Sequence, residues 1–280
     1  MPTNHSTNAH LPIGMFDSGV GGLTVMRQIQ QLLPFESITY FGDTARLPYG
    51  DKSPEAIVRY SIENAQFLMD QQIKILVVAC NTATAYALLA LQELCPIPVI
   101  GVIAPGAEKA VAVTHNGHIA VLGTKATIRS GVYQKEILKR DPQAVVTSIA
   151  CPLFVPLAEE RFFTHDATRL IIREYLKPLR QQQIDTLLLG CTHYPLLHEL
   201  IAQEVGPQVK IVDSAATCAE TVHSCLHTLG LQNPVTGAAA PPTYKFFVSD
   251  DPSKFQALGQ DFLGMPMESV ESSKELMPVS

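Results

Sequence analysis

Residues 73–84, I-K-I-L-V-V-A-C-N-T-A-T, hold a short apolar run that stops at a cysteine and passes into small residues. An apolar run of this length, bounded by turn-forming residues, reads as a buried strand over 73–79. A helix-length stretch follows at about 83–94, and then a second run that gives a strand at 99–102. Strand, helix, strand with short connections is the unit of a parallel sheet. The same reading extends upstream. A strand at 13–16 runs into F-D-S-G-V-G-G, and a helix at 23–33 is stopped by Pro34. A strand at 38–41 ends in G-D-T. A helix follows from Pro54 to about Gln71, since proline suits a helical first turn.

The second half repeats the scheme. Strands are expected at 119–122, 145–149, 186–189 and 210–212, with helices at about 130–138 and 168–181. Thr124 follows a first strand as Asp17 does, and Cys191 follows a third strand as Cys80 does. The expected fold is α/β: two similar lobes with mainly parallel sheets flanked by helices, pseudo-twofold related, with the active site in the cleft between them. The first α/β domain takes residues 12–106 plus 214–264, because a last strand at 244–248 and a helix at 252–263 pack back on the first half. The second domain takes 107–213. Residues 1–11 read as a disordered extension and 265–280 as a loose polar tail. The segment Q-N-P-V-T-G-A-A-A-P-P reads as a loop.

Composition narrows the function. Of 280 residues, 46% are hydrophobic and 16% charged, ordinary for a globular protein, and the formal net charge of −6 lacks the basic surplus of a nucleic-acid binder. No apolar run reaches the roughly 18 residues of a membrane span. The first twelve residues have neither the basic start nor the apolar stretch of a signal peptide. The expected setting is therefore the cytoplasm, with no membrane partner. The six cysteines form no C-x-x-C pair, so zinc-ribbon and thioredoxin readings lose their main signature, and no metal is expected. Cys95, Cys218 and Cys225 read as small buried hydrophobes.

In open α/β sheets, ligands bind at the carboxyl ends of the strands. Here those ends carry Asp17-Ser18, Asp43, Cys80-Asn81-Thr82, Thr124, Cys151 and Cys191-Thr192-His193. A free thiol near pKa 8.5 is only roughly 3% thiolate at pH 7, and a helix N-terminus after the strand is expected to lower that pKa. Two thiols on facing walls suit inversion at a tetrahedral carbon. One wall removes a proton and the other returns it, so both need a group that serves as base and as acid. The loop D-S-G-V-G-G invites a dinucleotide reading, with Asp43 as the ribose acid. Thr24 stands where the third glycine belongs, and Asp17 at the strand tip would repel a pyrophosphate. His193 near Cys191 invites a hydrolase reading, but no second acylation element accompanies it. A two-lobed binding module without turnover is the non-enzyme alternative.

Five motifs, I-G-M-F-D-S-G-V-G-G-L-T-V, Y-F-G-D-T-A-R-L-P-Y-G, V-V-A-C-N-T-A-T-A, A-C-P-L-F-V-P-L-A-E-E and L-L-L-G-C-T-H-Y-P-L-L, resemble those of the bacterial glutamate racemase family, in order, over about residues 12–264. The resemblance implies interconversion of L- and D-glutamate by proton transfer without a cofactor, neither pyridoxal phosphate nor metal. It makes Cys80 the base for D-glutamate and Cys191 the base for L-glutamate. Asp17 is expected to assist the first, and His193 and Glu160 the second. It assigns substrate contacts to Asp17, Ser18, Tyr49, Gly50, Asn81, Thr82, Thr124, Thr192 and His193. It further implies a homodimer that supplies D-glutamate for peptidoglycan. A relative such as an aspartate racemase is the nearest alternative.

Overall fold

A computed structural model describes residues 8–234 and 241–273 of the chain. Four strands, β1 (Ile13–Asp17), β2 (Ile38–Gly42), β3 (Ile75–Val78) and β4 (Val99–Gly101), form a parallel sheet with two late arrivals, β9 (Tyr244–Val248) and β10 (Glu271–Ser272). Its order is β10-β9-β2-β1-β3-β4. The strands β5 (His118–Gly123), β6 (Val145–Ala150), β7 (Thr186–Gly190) and β8 (Lys210–Asp213) form a second parallel sheet, ordered β6-β5-β7-β8. The order 2-1-3-4 thus occurs twice, which is the repeat expected from the sequence. Every residue of β1, β2, β3 and β7 is buried, as strands covered on both faces must be.

Helices cover both sheets. Those of the first half are α1 (Leu23–Leu32), α2 (Pro54–Asp70) and α3 (Asn81–Leu94). The middle of the chain supplies α4 (Ile103–Val113), α5 (Lys125–Ser130), α6 (Val132–Arg140), α7 (Phe154–Glu159), α8 (Asp166–Leu176) and α9 (His198–Val205). The last two are α10 (Ser214–Leu229) and α11 (Pro252–Leu263). Helices α2 and α3 cover one face of the first sheet, and a second apolar cluster fills the outer face of the other sheet. The remaining two sheet faces share one core, running from Ile13, Met15 and Val77 through α1, α10 and α4 to Val121 and Leu188. The lobes are therefore fused along one side by a common core.

Several expectations shift. A boundary between residues 106 and 107 cuts α4, whose apolar face (Ile103, Gly106, Ala107, Ala110) packs toward α6, β7 and β8. Residues 8–11 are not a disordered extension: Ala9 is buried, and its carbonyl accepts a hydrogen bond of 2.6 Å from Lys74 Nζ. Residues 1–7 lie outside the described residues. The tail is also ordered as far as Ser273. Met267 is buried, its carbonyl accepts from Gln256, and β10 extends the first sheet; residues 274–280 lie outside the described residues, as do 235–240 of the expected loop. The helix expected at 130–138 is α6, and α5 precedes it where no helix was expected. Gly131, at φ 65°, ends α5 and begins α6, a left-handed geometry natural to glycine. That expected at 168–181 starts at Asp166 and tightens into a 3₁₀ turn after Leu176.

Candidate active site

The carboxyl ends of the two sheets meet. Asp17, the last residue of β1, is fully buried; its Oδ1 accepts from the Gly19 N–H at 2.9 Å, and its Oδ2 accepts from the Thr192 hydroxyl of the other lobe at 3.3 Å. Thr24 donates across the same seam to the Thr192 carbonyl at 3.0 Å. Gly21 makes this approach possible, because a Cβ there would collide with Thr192 and His193.

Cys80 caps the N-terminus of α3: the Ala83 N–H points at its Sγ over 3.4 Å, and Ser18 Oγ lies 3.9 Å away. The expected lowering of its pKa does not follow. Burial, and then the Asp17 charge, push the Cys80 thiol up to about 12, against the smaller pull of Ala83 and Ser18. Burial and the Asp17 charge thus favour the protonated thiol at Cys80. Asp17 is itself raised by burial, against the opposing charge of His193 and the N–H groups of Gly19 and Gly22.

Cys191 differs from Cys80 in its local frame. It follows β7 but precedes a 3₁₀ turn, Tyr194–Leu197, rather than an α-helix, so it does not cap an α-helix as Cys80 does. Its electrostatic partner is a side chain. Cys191 Sγ lies 3.9 Å from His193 Nδ1, and His193 Nε2 lies 3.0 Å from Glu159 Oε1. Burial disfavours the charged ring, but Cys191 and Glu159 outweigh it and push His193 up to about 10. Glu159 is pushed up by burial and, more strongly, down by His193 and Lys254, ending below its usual range. Phe262 of α11 meets the His193 ring edge-on at 5.2 Å.

The acid on His193 is thus Glu159 and not Glu160. Helix α7 ends at Glu159, and Glu160 and Arg161 turn the chain outward, with Arg161 at φ 61°, so Glu160 is exposed. A cavity of about 200 Å³ adjoins Glu159, walled by Thr44, Leu47, Asp250, Asp251 and Lys254.

Polar groups from both lobes meet at the strand ends that carry the thiols. Asn81 Oδ1 accepts from the Tyr133 hydroxyl at 2.6 Å, while its buried Nδ2 has no hydrogen-bond partner among the described residues. Such an orphaned donor is what an incoming carboxylate would satisfy. Thr82, Thr124 and Thr127 form a triangle of hydroxyls, each 3.0 Å from the other two. Thr124 also caps α5 through the Thr127 N–H. Gly50 packs on the Thr124 side chain. Tyr49 departs from expectation: its hydroxyl is bonded to Asp43, so only its backbone is left for a ligand. Besides Glu159, two participants were missed by sequence reasoning, Thr127 and Tyr133. Thr127 was legible as the i+3 partner of the capping Thr124; Tyr133 carries no local signal, since only the tertiary fold brings α6 to Asn81. Among the described residues, no group of three or more His, Cys, Asp or Glu side chains could hold a metal ion, and no helix is long and apolar enough to cross a membrane. Cys218 and Cys95 are buried as expected, and Cys225 is half-buried.

The model of a family described as Asp/Glu/hydantoin racemase matches residues 13–222. A glutamate racemase of Geobacter metallireducens is 50% identical over 268 residues, covering 94% of this chain and 98% of its own. Among solved structures, a glutamate racemase isoform from Bacillus anthracis superposes with a TM-score of 0.89 at 42% identity, covering 94% of this chain and 97% of its own. A Francisella tularensis glutamate racemase in complex with D-glutamate gives 0.88 at 39%, with the same coverage.

Proposed function

This chain belongs to the Asp/Glu/hydantoin racemase family, and we propose that it interconverts L- and D-glutamate by proton transfer between two thiols. The observation that carries the reading is the pair of strand-end thiols, Cys80 and Cys191, one per lobe, each backed by its own charged partner across a seam only a hydrogen bond wide.

With L-glutamate, the Cys191 thiolate removes the α-proton and Cys80 returns its own to the opposite face. With D-glutamate the roles reverse. Atoms balance, since one C–H bond breaks and one forms, and one S–H bond forms and one breaks. The protonated His193 ring, held by Glu159, gives the Cys191 thiolate a positive neighbour. Asp17 serves the Cys80 side, where burial and its own charge hold the thiol as the proton donor. Removal of the α-proton drives negative charge onto the α-carboxylate, and fixed donors lower the barrier by stabilising it there. Asn81 Nδ2 and the hydroxyls of Thr82, Thr124 and Thr192 supply such donors; Ser18 and the Tyr49–Gly50 backbone supply others for the second carboxylate. The reaction uses no pyridoxal phosphate and no metal. The protein acts in the cytoplasm as a homodimer and supplies D-glutamate for peptidoglycan. Its two lobes are residues 12–102 with 214–264, and 103–213, so that α4 stays whole and with the β7 and β8 it packs on.

The test is α-proton exchange in ²H₂O with both glutamate enantiomers and both aspartates, without added cofactor. Exchange and racemisation of glutamate are expected, with loss of racemisation by at least about 10³-fold in Cys80→Ala and in Cys191→Ala. A binding module would keep its ligand affinity and show no exchange. No exchange with either glutamate enantiomer sinks the assignment.

A further inference from the structure

Asp43 is a strand-end acid that this chemistry leaves unused. It lies just past β2, fully buried, and a buried carboxylate must be paired and hydrogen-bonded. Every neighbour is a donor. Arg46 Nε reaches both oxygens, at 2.9 and 2.7 Å, Ser249 Oγ donates at 2.9 Å, and the Tyr49 hydroxyl donates to Oδ2. The Arg46 fork continues to Glu63 and, at 3.0 Å, to Asn64 Oδ1, while Asn64 Nδ2 returns to the Tyr49 oxygen at 3.0 Å. Ser249 also takes the Ala45 N–H at 2.9 Å. Three segments are therefore stitched to one carboxylate: the loop after β2, the middle of α2, and the turn after β9.

The loop so held carries Tyr49 and Gly50. On its far side Gly50 rests against Thr124, so this stretch is gripped between the Asp43 network and the second lobe. The Asp43 N–H also donates to the Asp17 carbonyl at 3.0 Å, which ties the network to the wall behind Cys80.

We propose that Asp43 is a positioning residue that sets the length of dicarboxylic amino acid the site accepts. Through Tyr49 and Arg46 it fixes the Tyr49–Gly50 backbone, one end of the carboxylate clamp, relative to Asn81, Thr82 and Thr192 at the other. This rests on the clamp described under the proposed function. The chemistry needs an acceptor with two oxygens. Asparagine at this position would turn an NH₂ toward the Arg46 and Tyr49 donors, and the loop would shift to relieve the conflict. A lysine in place of Arg46 would lose the fork that joins Asp43, Glu63 and Asn64.

The experiment compares the wild type with Asp43→Asn, Tyr49→Phe and Ser249→Ala, using L-glutamate, L-aspartate and L-2-aminoadipate, alongside the melting temperature of each. Asp43→Asn is expected to raise KM for glutamate about tenfold while kcat stays within roughly threefold, and to narrow the preference for glutamate over its shorter and longer homologues about tenfold. Tyr49→Phe and Ser249→Ala, each lacking one oxygen, give smaller shifts of the same sign and stand in for Asp43→Asn should it fail to fold. An unchanged glutamate preference in folded variants, with kcat alone falling, overturns the proposal. A wild type that does not turn over glutamate at all is a separate result, and sinks the clamp instead.

Discussion

The two thiols share a type but not an environment, and the difference has a measurable sign. His193, raised to about 10 beside Cys191 and Glu159, keeps its charge through neutral pH. The stabilisation linked to that charge is complete below the ordinary histidine value near 6.5 and is lost as pH rises through about 10. Glu159→Gln removes one of the two groups that hold the ring charged, so the alkaline limb of kcat/KM should move to lower pH and kcat should fall roughly tenfold. Since the two enantiomers are equal in energy, kcat/KM must drop equally in both directions. Glu160→Gln should stay within about twofold of the wild type at every pH, as expected of an exposed side chain. Parallel pH–rate profiles of the two variants decide which acid serves the site; a larger effect from Glu160→Gln would refute the geometry. Reading A-E-E from sequence pointed to Glu160, one residue past the acid that meets His193. Which neighbour meets the ring depends on where α7 stops and which way Arg161 turns the chain.

At the level of elements, the strands were the most legible, because fully buried parallel strands are continuous apolar runs with abrupt polar ends. The thiols could be found from the same signal, since both stand where a run stops. Helices α4 and α7 were not foreseen. Each carries a proline in its first turn, Pro105 and Pro156, which resembles a breaker in sequence but costs no hydrogen bond there, where the N–H groups have no intrahelical partner. The reach of α11 into the other lobe was also hidden. It brings Phe262 to His193, and Asp261 to Arg161 at 2.5 Å, although an exposed pair of this kind contributes about 0–1 kcal/mol at most. The loop between β1 and α1 is the more demanding element. Its Gly21 approaches the opposite lobe, where a Cβ would collide with Thr192 and His193. Gly21→Ala should therefore hold the strand ends apart and cut kcat about 10²-fold with little change in melting temperature. Gly131→Ala should do the reverse: it places a side chain at φ 65° in open space, costs about 1 kcal/mol of stability, and leaves kcat intact. Melting curves and steady-state rates on both variants separate a closure glycine from a turn glycine.

The whole molecule combines two requirements that pull in different directions. Both thiols are only 5% exposed, so glutamate enters only when the lobes part at the strand ends, breaking contacts such as Asp17–Thr192, Thr82–Thr124 and Tyr133–Asn81. Yet the opposite side of the lobes is one continuous core, in which α10 touches α1, β4 and β7, and α4 touches β7, β8 and α10. Parting must then be a small rocking about that shared core, not a separation of independent domains. The sequence repeat pointed to two units and the sheets agree, but the amphipathic pattern of α1, α4 and α10 did not reveal that their apolar faces meet one another. Unfolding should accordingly be a single cooperative transition, with no protease-resistant fragment of residues 107–213 surviving alone. Glutamate, bound between the strand ends of the two lobes, should raise the stability of the whole chain by about 2.7 kcal/mol at a hundred times its dissociation constant. Calorimetry with and without D-glutamate tests both points. Two resolved transitions, or a ligand that stabilises only one of them, would mean that the lobes are joined more loosely than their common core implies.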